Sequence, residues 1–335
     1  MKRICVLPGD GIGPEVIECA VRVLHAASDS LDFVHADIGN AAFKSRGQYL
    51  PSETLGLMRS CDSCLFGAVT TPKDPDYNSP VLQFRKELDL YANVRPVRSL
   101  VLTRGRKPID VVIVRENSEG MYTQNEVFDD KGVTTLRRVT RKASERIVRF
   151  AVDYALSNNR KKITCVHKSN VLKASDGLFA SIFWEQLALT HGVIVADEAL
   201  VDSAALRLVT DPGSFDVIVT LNLYGDILSD VAAGVAGGLG FAPSANIGDK
   251  HSVFEPVHGS APDIAGKGVA NPTAAILAGA MMLKHMGMVD VAEKIEMAVQ
   301  AFYTAGHLTV DLGGRHGSSS LTEHVIEIIE GRVTT

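Results

Sequence analysis

The chain has 335 residues, 46% of them hydrophobic and 22% charged, with a formal net charge of -5. This is an ordinary globular composition, with enough chain to bury a substantial core in two domains or one large α/β domain. Acidic and basic residues are mixed along the sequence, and no basic stripe points to nucleic acid.

The apolar residues ahead of Gly9 are too few for a signal-peptide core. The longest apolar stretch, residues 231–243, is glycine-rich and too short to span a bilayer. A soluble, cytoplasmic protein without membrane contact is the expectation. Five cysteines, an odd number, argue against a disulfide framework. Cys61 and Cys64 make one CxxC, but a zinc ribbon needs a second such pair. Buried structural thiols are expected instead.

In chain order, "RICVLPG" reads as a strand and "GPEVIECAVRVLHAAS" as an amphipathic helix opened by Pro14. "LDFVHADIG" follows as a strand, "SETLGLMRSC" as a helix capped by Ser52, and "SCLFGAV" as a third strand. This βαβαβ order predicts a largely parallel sheet covered on both faces. A second group begins after "YANVRPVRS". It holds the strand "DVVIVREN", the helix "KASERIVRFAVDYALSNN", and the strands "KITCVHK" and "FDVIVTLN". Between them, residues 121–140 alternate β-favouring residues around Asp130, Lys131 and Gly132, the pattern of a hairpin arm. From Gly237 the chain is rich in glycine and proline, then ends in helices. "EPVHGSAPDIAGKGVANP", residues 255–272, is too irregular for a helix or strand and too apolar for a solvent loop.

Several stretches could carry chemistry. In "GDGIGP" the glycines at 9, 11 and 13 fail the dinucleotide fingerprint spacing, and position 14 is proline. The loop could still bring its backbone to a ligand at a helix N-terminus, or be only a tight turn. Arg85, Arg95 and Arg115 cluster along the sequence, and Arg115 follows "VVIV" at a strand end, where open α/β sheets bind ligands. Converging guanidinium groups would suit a di- or tricarboxylic acid; surface ion pairing is the plain alternative. Lys168 beside Asn170, and Tyr122, are candidates for proton transfer, although a strand-end lysine is often only a surface residue. Asp202, Asp226 and Asp230 are carboxylates without nearby histidine or cysteine. Such oxygen ligands favour Mg²⁺ or Mn²⁺ over zinc. Acids answering a helix dipole explain Asp226 as well, but Asp230 less well. Asp263 is placed to accept hydrogen bonds from a group such as a ribose.

Together these segments resemble the β-decarboxylating dehydrogenases, the isocitrate, 3-isopropylmalate and homoisocitrate dehydrogenases. The resemblance runs nearly the whole chain, in order, through "GDGIGPE", "LDLYANVRP", "VRENSEGMY", "HKSNVL", "GDILSD", "GGLGFAPSANIG" and "EPVHGSAPDIAGKGVANP". It implies a two-domain isocitrate/isopropylmalate dehydrogenase-like α/β fold that is not a typical Rossmann fold. One domain, on the cofactor side, would comprise 1–95 and 236–335; the other, 96–235, would form the dimer contact, with the arm near 122–140 clasping a second subunit. The active site would lie in the cleft and be shared between the subunits of a homodimer or dimer of dimers, with Lys168, Asn170 and Asp202 reaching across.

The resemblance also assigns roles. Asp226 and Asp230, with Asp202 of the other chain, would hold Mg²⁺ or Mn²⁺ on the hydroxyl and carboxylate of a small carboxylic acid. Lys168 and Asp202 would take the hydroxyl proton while hydride passes to NAD, and Tyr122 would protonate the enol left after CO₂ departs. Arg85, Arg95 and Arg115 would hold carboxylates, with Asn170 contributing to substrate and cofactor. Asp263 and Ile264 stand where NADP-dependent relatives tend to carry lysine and tyrosine, which implies NAD. His258, Gly259, Ser260, Ala261, Pro262, Asp263 and Asn271 would surround the adenosine. Thr70 and Thr71 would approach the nicotinamide, and Gly11 the cofactor through its backbone.

The family divides by the substituent on the substrate's C3, read by Ser79, Val81 and Leu82 ahead of Arg85. "YNSPVLQFRKE" is most similar to homoisocitrate enzymes, which implies oxidative decarboxylation of homoisocitrate, or a longer homologue, to 2-oxoadipate in lysine or coenzyme B synthesis. Aliphatic residues at 81 and 82 suit 3-isopropylmalate equally, as in leucine synthesis, and isocitrate follows. A non-catalytic regulatory subunit would lack part of the set Tyr122, Lys168, Asp202, Asp226 and Asp230, all present here.

Overall fold

Buried strands alternate with amphipathic helices, and the reason is visible in the first two elements. Strand β1 (Lys2–Gly9) has a fully buried centre, Ile4–Leu7. Helix α1 (Gly13–Ala27) has proline in its first turn, and Val16, Ala20 and Leu24, four apart, lie on one buried stripe. Next come β2 (Leu31–His35), α2 (Asn40–Arg46), α3 (Ser52–Ser60), β3 (Ser63–Ala68) and α4 (Pro80–Glu87). Ser52 does not cap α3: Pro51 holds that position without a side-chain bond, and the Ser52 hydroxyl faces Glu53. The structure, a computed structural model, describes residues 1–74, 77–100 and 108–333.

The chain continues through β4 (Ala92–Arg98), β5 (Asp110–Glu116), β6 (Glu126–Asp129), β7 (Gly132–Thr135), α5 (Arg141–Ser157), β8 (Lys162–His167) and α6 (Ser175–Ala188). Then follow β9 (Val195–Leu200), α7 (Val201–Thr210), β10 (Val217–Thr220) and α8 (Asn222–Ala236). It ends with β11 (Pro243–Ile247), β12 (Ser252–Pro256), α9 (Thr273–His285), α10 (Val289–Thr304) and α11 (Ser318–Ile329). The irregular reading of 255–272 therefore needs correcting at its start, because Glu255 and Pro256 close β12.

Two compact units result: Met1–Leu88 with Gly237–Thr335, and Asp89–Ala236. In the first, the strand order is β2-β1-β3-β12-β11, parallel except for β11 against β12. Helices α1, α9, α10 and α11 pack on one another beside it. In the second, the order is β4-β5-β10-β8-β9, parallel except for β4 against β5. Its core joins Ile113, Ile218 and Val166 of the sheet to Leu208 of α7 and Leu228 and Ala232 of α8. Strands β6 and β7 form a separate antiparallel hairpin whose Val127, Phe128 and Val133 are exposed. All five cysteines are free and buried. No helix among the described residues is long and apolar enough to cross a membrane.

The turn leaving β1 allows no side chain at Gly9. Its φ is +76°, and an added Cβ would lie 1.9 Å from the Ala68 carbonyl oxygen. Gly9→Ala is expected to cost about 2–4 kcal/mol, through left-handed strain and forced separation of β1 from β3. A fall of several degrees in the thermal midpoint by calorimetry checks it.

Candidate active site

In the second unit, Arg115 near the end of β5 meets Asn222 and Asp226 in the first turns of α8. Register places Arg115 beside Thr220 on β10 and beside Asn93 on β4. Arg115 is only 1% exposed, so its charge must be met by protein groups. Its Nε and Nη2 donate to Asn222 Oδ1 at 3.0 and 2.8 Å, and its Nη1 pairs with Asp226. Arg95, also buried, donates to Asn93 Oδ1 at 2.7 Å and Ser229 Oγ at 2.6 Å. Its guanidinium lies 3.3 Å from Asp226 and 3.7 Å from Asp230. Tyr122 donates its phenol to the other oxygen of Asp226, and the Arg115 guanidinium stands 4.8 Å over its ring.

Arg95, Arg115, Tyr122, Asp226 and Asp230 thus form one cluster. Burial, reinforced by Asp226, pushes the Tyr122 phenol above its ordinary range, so it keeps its proton. Burial also pushes the Asp230 carboxyl up, with Arg95 opposing and Asp226 adding to the rise. Asp230 is the more open of the two acids, at 59% side-chain exposure against 35% for Asp226.

Lys168 and Asp202 form a second pair, Nζ to Oδ1 at 2.6 Å. That bond holds the Asp202 carboxyl below its ordinary range. Asn170 is exposed two residues further on. Among the described residues no group of three or more His, Cys, Asp or Glu gathers as metal ligands, so Asp202 does not join Asp226 and Asp230 within one chain.

In the first unit, Gly11, Thr70 and Ser260 meet. Gly11 has φ +62°, and a Cβ there would lie 1.9 Å from the Ser260 carbonyl oxygen. The Ile12 amide donates to that oxygen at 2.8 Å, and Thr70 Oγ1 bonds Ser260 Oγ at 2.7 Å. Thr71 is exposed beside it. Gly259, Ala261, Pro262 and Asp263 are exposed, and Ala261 takes a left-handed φ of 35°. His258 Nδ1 lies 3.0 Å from the Gly259 carbonyl, while its Nε2 is buried and without a partner. Burial pushes this imidazole below its ordinary range, which leaves Nε2 a bare acceptor. Asn271 is engaged inside the protein: Nδ2 reaches Asp311 and Thr309, and Oδ1 takes the Thr273 amide at 3.0 Å.

Helix α4 places Val81, Leu82 and Arg85 on one half-buried face, since positions three and four apart are neighbours. Arg85 bonds Glu255 at 3.1 Å, and its Nε is buried without a partner. Ser79 caps the helix and accepts the Leu82 amide at 3.5 Å.

Sequence reasoning missed Asp10. Its two oxygens take the Asn40 amide at 2.8 Å and the Thr70 amide at 2.9 Å, tying three loops together. Its place between Gly9 and Gly11 at a helix start was the available signal. Asn222 and Ser229 were missed too; their places four residues before and three after Asp226, on the same helix face, were the clue.

A family profile described as isocitrate/isopropylmalate dehydrogenase matches residues 3–329. The chain belongs to this family of β-decarboxylating dehydrogenases. It is 48% identical over 331 residues to an isocitrate/homoisocitrate dehydrogenase of Thermus thermophilus, covering 98% of each chain. It is 47% identical over 332 residues to a 3-isopropylmalate/3-methylmalate dehydrogenase of Methanocaldococcus jannaschii, covering 97% of this chain and 98% of that one. The crystal structure of isocitrate dehydrogenase from Methylococcus capsulatus superposes with a TM-score of 0.95 at 44% identity, covering 98% of this chain and 99% of that one.

Gly225 lets α8 close on the Arg115 side chain. A Cβ there would meet Arg115 Cβ at 2.6 Å and Cγ at 2.7 Å. Alanine is otherwise the better helix residue by about 1 kcal/mol. Gly225→Ala is expected to cost about 1–3 kcal/mol of stability, because the near end of the buried Arg115 side chain must move, and to lower turnover of the molecules that stay folded by roughly tenfold or more. Circular dichroism with steady-state kinetics checks both halves.

Proposed function

We propose that this protein oxidatively decarboxylates a 2-hydroxy-3-carboxy acid with NAD and Mg²⁺ or Mn²⁺, and that the acid is homoisocitrate. The Arg95–Arg115–Asp226–Asp230–Tyr122 cluster carries the reading. It offers two buried guanidinium groups for carboxylates, two acids one helical turn apart, and a protonated phenol.

The donor set fits a hard divalent cation: both carboxylates are oxygen ligands on one helix face, and the raised Asp230 shows a charge that a cation would relieve. Asp226 and Asp230 would hold it, with Asp202 of a partner subunit supplying the third carboxylate. When bound, the metal would supply Lewis-acid polarisation of the substrate oxygens and NAD would accept the hydride.

The chain's own groups would do the rest. Arg95 and Arg115, fixed by Asn93, Ser229 and Asn222, would hold carboxylates in one orientation. Lys168 and Asp202 of the partner subunit, paired as they are in this chain, would receive the C2 hydroxyl proton, directly or through water. Tyr122 would deliver its phenolic proton to the carbon that loses CO₂. The unpartnered Nε2 of His258 would accept from the adenine amino group, and Asp263 would face the ribose hydroxyls. An acid at 263 would repel a 2′-phosphate, which supports NAD over NADP. The exposed apolar hairpin supports a homodimer, or a dimer of dimers, in which β6 and β7 are covered by a second copy.

Ser79 supports the longer acid. Its hydroxyl stands at the N-terminus of α4, where it accepts the Leu82 amide and would donate to a distal carboxylate. Val81 and Leu82 favour a second reading, 3-isopropylmalate, by offering hydrocarbon to an alkyl group. A methylene in such a pocket is worth about 1–3 kcal/mol. The kcat/KM values for homoisocitrate, 3-isopropylmalate and isocitrate decide between them. Homoisocitrate is expected to lead, and Ser79→Ala to lower its kcat/KM by roughly tenfold while sparing 3-isopropylmalate. A lead for 3-isopropylmalate assigns the alkyl reading instead.

Mn²⁺ with the preferred acid is expected to raise the thermal midpoint more than either alone. Asp230→Asn should remove the increment. Protons compete for the raised Asp230 carboxyl, so metal affinity should weaken as pH falls, sooner than an unshifted aspartate would allow. Titration calorimetry at several pH values reads this directly.

A further inference from the structure

Asp176 is a charged residue with no exposed surface, in the first turn of α6. Burying a carboxylate is costly unless both oxygens are met. Here they are met by groups from four places in the second unit. Oδ1 takes Arg137 Nη1 at 2.6 Å and Ser175 Oγ at 3.2 Å. Oδ2 takes the backbone amide of Lys168 at 2.8 Å and the phenol of Tyr224 at 3.1 Å.

Each donor belongs to an element with a separate task. Lys168 leaves β8 in a turn whose carbonyl already accepts the Val171 and Leu172 amides at 3.0 and 2.9 Å. The Asp176 carboxylate holds the amide of the same residue, so both backbone groups of Lys168 are bonded. Tyr224 lies on α8, ahead of Asp226 and Asp230. Arg137 stands at the root of the β6–β7 hairpin, and its guanidinium lies 5.2 Å over the Tyr224 ring.

We propose that Asp176 is a positioning residue: it fixes the backbone from which Lys168 reaches Asp202, with Arg137 as its counter-ion from the hairpin root. The proposal rests on the part given to Lys168 in the proposed reaction. Asp176 touches no reacting atom; it acts through Lys168. The arrangement makes the placement of the proton-accepting pair depend on the hairpin root. A hairpin pulled out of place would loosen Arg137, leave Asp176 uncompensated, and release the Lys168 turn.

The test uses the full chain as Asp176→Ala, and as Asp176→Ala combined with Arg137→Gln, which removes the stranded cation where the single variant folds poorly; alanine is used because an asparagine oxygen would still accept the Lys168 amide. Residue-resolved amide exchange needs no turnover. The Lys168 amide is expected to exchange about tenfold faster or more in both variants, while the β8 amides stay protected. With the preferred acid, kcat per folded molecule should fall by roughly tenfold or more, with both KM values nearly unchanged. A substrate deuterated at C2 should show a larger isotope effect on kcat, because proton removal and hydride transfer have become slower relative to product release.

A merely structural ion pair predicts otherwise. In that case the double variant regains both its thermal midpoint and its kcat, and the proposal is overturned. Unchanged exchange at Lys168 in the variants overturns it as well. Absence of turnover by the wild type on all three acids rejects the proposed reaction, and amide exchange then still decides whether Asp176 holds Lys168.

Discussion

The Arg115 guanidinium, buried beneath α8, is the constraint from which the second unit is built. A cation so placed must find anions and acceptors close by, since losing a partner from a buried pair costs about 3–5 kcal/mol. Asn222 and Asp226 meet it from the first turns of α8. That demand sets the register of the helix against β5, and Gly225 follows from it, because no side chain fits between the helix and the arginine stem. Asn222 then uses its Nδ2 to hold the Glu119 carbonyl at 2.9 Å, which places the turn leading to Tyr122. One buried charge thus positions the two acids and the phenol.

The first unit solves a different problem with an anion. Asp10 is buried between loops, and its oxygens are met by backbone amides rather than by a cation. Such bonds draw the ends of β1 and β3 and the start of α2 together without spending a side-chain charge. The Gly11–Ser260 contact does the same with bare backbone.

Much of this was legible in the sequence where periodicity was strong. Helices α1 and α5 and strands β1, β3, β5 and β8 follow their apolar patterns closely. Strands β9, β11 and β12 were hidden for physical reasons. "VADEAL" carries the acids and alanines of a helix, while "PSANI" and "SVFEP" are buried on both faces and so show no alternation. Proline at the first position of β11 and the last of β12 disguised them further. Individual site residues were readable because acids, arginines and tyrosine are chemically conspicuous. Asp10, Asn222 and Asp176 escaped notice because their work is done on backbone amides or on other side chains, and spacing along the chain does not report that.

Charge balance connects the acids to the proposed chemistry. Arg95 and Arg115 face Asp226 and Asp230, so the cluster is neutral as it stands. A divalent cation entering alone would leave it with two excess positive charges in a partly desolvated place. The carboxylates of an acid substrate, and a third aspartate, cancel that excess. Metal and acid should therefore each improve the site for the other through plain electrostatics. The same balance explains why Tyr122 donates to Asp226 rather than ionising: a phenolate would add negative charge beside a carboxylate already shared by two guanidinium groups. Keeping the phenol neutral leaves its proton available for the carbon that has lost CO₂.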